Sequence, residues 1–205
     1  MFAIMAYMKY VRGSFLCTLV LSAIGVIGIS ASVALTRDMR WMRWHLSRLG
    51  EGGGFAAHIF NFTLIACAIC LLCVAWQIYD ELSYDAHDKN RPMIPLLLSA
   101  TAICWMGVGL FPFDHYPVIH NVFGYSEFIL LGALMLGAKR WHRIISERTY
   151  WLGYSAVFVS SAMMLGFHLT HFTSLLVVEL VGEAFLFAWL VSFTFDSSRR
   201  EPKTA

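Results

Sequence analysis

At 205 residues the chain is 59% hydrophobic and only 14% charged, whereas a soluble domain carries about 25% charge. That balance excludes a soluble globular domain and a nucleic-acid-binding module, and a net charge of +2 is too small to name a partner by sign. Runs of about twenty apolar residues suffice to cross roughly 30 Å of hydrocarbon as helix, and the alternating polarity of a β-barrel is absent from them.

Residues 1–13 form a short, weakly amphipathic lead-in to a membrane interface. The first span covers residues 14–35. Lys9 and Arg12 before it, and Ser30 to Ala34 near its end, partly imitate a cleavable signal. Its apolar stretch exceeds the usual 7–15-residue signal core, so it reads as a retained helix. Ser22, Gly25, Gly28 and Ser32 give it small residues for close helix approach. Next, Arg37, Arg40, Trp41, Arg43, Trp44 and His45 interleave cations and indoles. Such a segment predicts an amphipathic helix in the headgroup layer, either a plain interfacial anchor or a lid over a site beneath. Glu51 and Gly52 to Gly54 supply a hinge.

The second span, residues 55–78, carries His58 and Asn61 on one face. Cys67, Cys70 and Cys73 follow at a spacing of three. An iron–sulfur cluster needs four ligands in close loop geometry, and only Cys104 could join them, so they read as packing residues. An acidic solvated loop leads to Pro92 at a helix start. The third span is residues 93–111, and Asp114, His115 and Tyr116 lie in the loop after it. The fourth, residues 120–138, opens with His120 and Asn121 and reaches Glu127. Residues 139–149 are basic and aromatic, which suits an anionic inner leaflet. The fifth span is residues 150–168, with His168 and His171 at its exit, and the sixth, residues 175–195, carries Glu179 and Glu183 on one face. The tail is polar.

The expected architecture is all-α: a single polytopic domain of six transmembrane helices, sequential neighbours antiparallel and both termini on one side. That side holds eleven of the fifteen lysines and arginines, and the other only Arg37, Arg40, Arg43 and Arg48. The positive-inside rule therefore puts both termini in the cytoplasm of a cell-membrane protein.

On that topology the outer half gathers His58, Asn61, Asp114, His120, Glu127, His168, Glu179 and Glu183. At a rise of about 1.5 Å per residue, Asn61 and Glu127 lie roughly 10 Å deep, Glu179 about 6 Å and Glu183 about 12 Å. A carboxylate facing hydrocarbon costs at least about 2.5–3.5 kcal/mol, so the three glutamates must pair, protonate, line water or bind a cation. Histidine is a natural partner for them, as proton acceptor or as metal ligand. An outward polar pocket follows, with a polar stripe on each helix turned inward.

Several uses of that pocket stay open. The histidines could simply fix helix register through hydrogen bonds. The pocket could bind a lipid or small polar ligand, membrane lipids being the natural partners. His58, Asp114, His120, His168 and Glu183 could hold zinc in a lipid hydrolase, although no compact His-Glu-x-x-His motif exists. His58 with His120 or His168 could ligate haem, although the inner half offers no pair for a second haem. A proton-coupled transporter would carry ionisable groups to the midplane, and here they stop short of it.

Four motifs carry a family resemblance: Leu46-Ser47-Arg48-Leu49-Gly50, His58-Ile59-Phe60-Asn61, Gly109-Leu110-Phe111-Pro112 and His120-Asn121. The stretch they span, about half the chain, resembles the prokaryotic six-helix family catalogued as domain of unknown function 998. That family is in turn similar to eukaryotic membrane proteins tied to autophagy modulation and lipid-anchor remodelling. The resemblance implies a six-helix bundle with Phe60-Asn61, Phe111-Pro112 and His120 at characteristic outer positions, and implies no activity. His168, His171, Glu179 and Glu183 lie outside it.

Overall fold

The computed structural model describes residues 13–37, 39–82, 92–141, 145–170 and 174–198. The lead-in, the acidic loop, His171 and the polar tail lie outside them. The helices are α1 (Gly13–Leu35), α2 (Phe55–Leu82), α3 (Met93–Leu110), α4 (Pro117–Trp141), α5 (Glu147–Thr170) and α6 (Leu175–Ser198). Two 3₁₀ turns, Met39–Arg43 and Leu46–Gly50, lie between α1 and α2. All six helices are long and apolar enough to cross a membrane, and the described residues contain no strand. The molecule is a multi-pass, all-helical membrane protein.

Helix ends move from the expected positions where tertiary partners cap them. α2 runs past residue 78 because Glu81 accepts hydrogen bonds from Ser14 N (3.3 Å) and Ser14 Oγ (2.9 Å), placing a carboxylate on the positive N-terminus of α1. α4 opens at Pro117 because proline suits a first helical position, and His120 N already bonds to Tyr116 O at 2.9 Å. α5 opens before residue 150 because Ser146 Oγ accepts from Thr149 N at 3.3 Å, an N-cap bond. Asp196 of α6 holds that cap in turn, accepting from Ser146 N at 2.9 Å and Thr149 Oγ1 at 2.7 Å.

Each helix packs on its sequence neighbours, and α6 closes the ring on α1. Close approach comes from small residues. A Cβ at Gly109 of α3 would stand 2.8 Å from the Asn61 carbonyl of α2, and one at Gly28 of α1 would press into the Thr63 side chain. On the terminus side the ring is filled by Leu71, Ile78, Leu98, Leu134, Trp189 and Phe193, with the last two stacked at 5.0 Å. The three cysteines of α2 do not share a face: Cys67 is buried, Cys70 half-buried and Cys73 exposed. A spacing of three drifts about 60° per step round a helix with 3.6 residues per turn.

The segment after α1 departs from the expected amphipathic helix. It breaks into two short turns and sinks into the mouth of the bundle. Leu46 and Leu49, three apart and so eclipsed in a 3₁₀ turn, pack on Phe60 and Leu176. Leu176 N donates to Trp44 O at 3.0 Å. Gly52 and Gly53, at φ of 79° and 64°, then reverse the chain into α2 through a left-handed conformation that glycine adopts without steric cost. This segment is the cap, and its end of the bundle is the cap side.

Candidate functional site

Beneath the cap lies a cavity of about 350 Å³ to which all six helices contribute. Its floor is a buried carboxyl pair, Glu127 of α4 hydrogen-bonded to Glu183 of α6. Trp105 Nε1 of α3 donates to Glu127 Oε1. A hydrogen bond between two carboxyls requires a proton between them, because ionised carboxylates only accept. Adjacent like charges would also repel strongly in this setting. The pair is therefore a proton-holding, hydrogen-bonding floor in mostly apolar walls.

Glu179, one turn above Glu183, has a different task. Its carboxylate accepts from the backbone N–H groups of Leu46 and Ser47, which open the second 3₁₀ turn. A carboxyl oxygen there meets the unsatisfied donors of a helical start, so Glu179 pins the cap to α6.

The roof is aromatic. Phe113 stands edge-on between His45 (5.3 Å between ring centroids) and His120 (5.7 Å). His120 Nδ1 lies 2.9 Å from Phe111 O; a carbonyl only accepts, so Nδ1 carries the proton and Nε2 is left as an acceptor. His45 Nδ1 is 2.9 Å from Ser47 Oγ. Burial, with smaller contributions from His120 and the Arg48 guanidinium, pushes the His45 imidazole down to about 4, so it is neutral at physiological pH.

The eight residues singled out in the sequence divide by placement. His120, Glu127, Glu179 and Glu183 line the cavity. His58 is exposed on the outside of α2. Asn61 is turned toward the cap, where its Nδ2 donates to Gly50 O at 3.0 Å. Asp114 is in the surface loop before α4, accepting from Gly52 N at 2.9 Å with His115 Nδ1 at 2.8 Å. Its partial burial acts to raise its pKa, but the Gly52 N–H and the His115 imidazole outweigh that and hold it below the usual carboxylate range. His168 is exposed on α5 beside Phe167, their ring centroids 5.1 Å apart.

The inward polar stripe expected on every helix is thus present on α4 and α6 and absent from α2 and α5. On α2 the inner face is set by Ala57, Phe60, Cys67 and Leu71, and His58 lies about 100° round the helix from Ala57. The five residues considered for zinc do not converge: His58 and His168 are outside, and Asp114 is engaged in its loop. Among the described residues no group of three or more His, Cys, Asp and Glu is placed to hold a metal ion. For haem, neither His58 nor His168 lines the cavity that His120 lines.

Trp105 and Phe113 line the cavity without having been singled out in the sequence, and His45, placed there only in the loop above the polar cluster, joins them. Trp105 did carry a signal, since a buried indole N–H wants an acceptor and an intramembrane carboxylate is a fitting one. The Asn61 contact makes a stability prediction. Asn61→Ala leaves the Gly50 carbonyl without that donor and is expected to cost about 1–2 kcal/mol, read as a fall in Tm of the purified protein. An unchanged Tm would show that the bond does not secure the cap.

No curated protein and no solved structure matches the chain. A family model described as protein of unknown function (DUF998) matches residues 19–196, a stretch that contains every residue lining the cavity, and the chain belongs to that family.

Proposed function

We propose that this membrane protein binds a lipid or small polar ligand in the capped cavity, on the extracytoplasmic side of the cell membrane. The observation that carries the reading is the Glu127–Glu183 pair with its Trp105 donor, buried next to open space. Carboxyl groups that only set helix register would be expected to sit in packed surroundings, because a hydrophobic replacement of a buried polar cluster is often no less stable. Here about 350 Å³ adjoins them, within the size range of small-ligand pockets.

The test is native mass spectrometry of the purified protein in phosphatidylcholine nanodiscs, followed by solvent extraction of whatever is retained. Wild type is expected to carry a bound amphiphile or small polar molecule, and Glu183→Gln to lose it at unchanged Tm. Wild type that retains nothing, or a variant that retains as much, would defeat the reading. Zinc is assayed in the same preparation, and one equivalent would favour a metal-dependent lipid hydrolase instead.

Sidedness rests on the excess of cations at the terminus side. With the five native cysteines replaced by alanine, Met42→Cys in the cap should react with an impermeant thiol reagent on intact cells. Arg140→Cys at the end of α4 should react only after permeabilisation. The reverse pattern would invert the topology.

A further inference from the structure

A second void of about 560 Å³ lies outside the central cavity, between α4 and α5 with α6 as its floor. Ile129 and Leu165 on its edges are 72% and 58% exposed, so it opens on the side of the bundle that faces lipid. Only 11% of the apolar window of α5 is buried, the lowest share of the six helices. The groove runs from His168 to Ala156 along α5, twelve residues or about 18 Å. That is close to the depth of one leaflet, roughly half of a 30 Å hydrocarbon core.

Groove and cavity share four lining residues: Glu127, Phe128, Met164 and Glu183. Phe128 and Met164 are therefore the partition, and the carboxyl pair stands where the two voids meet. Phe128 lies on Gly182, where an added Cβ would stand 3.1 Å from its ring. Among the described residues no lysine or arginine lines either void.

We propose that this groove is a lateral portal for an amphiphile with one alkyl chain and a primary ammonium head. The head passes Phe128 and Met164 to rest on Glu127 and Glu183, and the chain stays in the groove over Gly132, Leu136 and Ala156. Charge complementarity selects the head. An ammonium has three donors for the carboxyl oxygens and no acceptor, and its charge-assisted bonds are stronger than a hydroxyl's. It also removes the cost of keeping a carboxylate in hydrocarbon. A phosphate or carboxylate head would meet the glutamates with no lysine or arginine among the described lining residues to receive it. The proposal rests on the cavity-binding reading above and adds the ligand class and its route.

The probe is dodecylamine with a diazirine on its chain, photolysed with the full-length protein in phosphatidylcholine nanodiscs. Crosslinks are expected on residues 128–136 of α4 and 156–165 of α5. Unlabelled dodecylamine should compete at least ten-fold better than dodecanol or dodecyl phosphate, and Glu127→Gln/Glu183→Gln should abolish that preference. Equal competition by dodecanol would overturn the ammonium head. Gly132→Phe enters the groove from a position where an added Cβ meets nothing within 4 Å, and should cut dodecylamine binding at least ten-fold at unchanged Tm. Normal binding to Gly132→Phe, together with loss in the cavity-filling Gly124→Leu, would overturn the portal and leave the cavity reading standing. Binding untouched by Gly124→Leu would remove the cavity reading, and this proposal with it.

Discussion

Gly124→Leu is expected to abolish ligand retention while leaving the protein as stable as wild type or more so. Gly124 lies on the cavity face of α4, one turn after His120 and three residues before Glu127. An added Cβ there meets nothing within 4 Å, so a leucine grows into the void without displacing a neighbour. Replacing a helical glycine by leucine should itself stabilise by roughly 0.5–1 kcal/mol. Gly107 is the control, because a Cβ there would collide with the Phe123 ring. Gly107→Leu should therefore lower Tm or prevent folding, since overpacking a tight site costs about 1–3 kcal/mol or more. Ligand is measured by native mass spectrometry, with Tm in parallel. A Gly124→Leu protein that melts normally and still retains its ligand would show that binding happens elsewhere.

What could be read in the sequence, and what could not, follows from the physics of each signal. The six spans were legible because a helix crossing hydrocarbon needs a long apolar run. Glu127, Glu179 and Glu183 were legible because a carboxylate in such a run is costly. Depth and side of the membrane follow from position along a span, but azimuth does not. His58 and His168 therefore fell into the candidate set although their helices turn them outward. The roles of the glutamates were hidden for a related reason. Glu179 binds Leu46 N and Glu127 binds Trp105 Nε1, partners 133 and 22 residues away. The cap was misread because its arginine–tryptophan alternation suggested a helix lying flat. Burying Leu46 and Leu49 against Phe60 and Leu176 instead draws the chain into two tight turns. Nothing local in the sequence records that the mouth of the bundle has room for them.

His45 gives the roof a pH dependence whose sign is fixed by its burial. It is one of the least exposed residues of the cap, at 8%, and its imidazole is held down to about 4, against about 6.5 in an unfolded chain. The groups facing it are His120 across Phe113, Arg48, and Glu51 at 3.9 Å. Glu51 cannot rescue the charged form fully, because Arg48 Nε already lies 3.6 Å from its other oxygen. The unfolded chain takes up a proton on this side chain first, so the stabilisation is complete above about pH 6.5 and is lost as pH falls toward 4. At pH 4.5 the loss attributable to His45 should reach about 2–3 kcal/mol at 1.36 kcal/mol per pH unit. His45→Gln removes the titrating group, so the Tm of wild type should fall more steeply than that of the variant between pH 7 and 4.5. Carboxyl groups that titrate in the same range contribute to both proteins and cancel in the difference. Parallel slopes would mean that His45 is hydrated rather than buried. The cap would then stand open over the cavity at neutral pH, and the Glu127–Glu183 floor would be reached from the aqueous side instead of from the lipid.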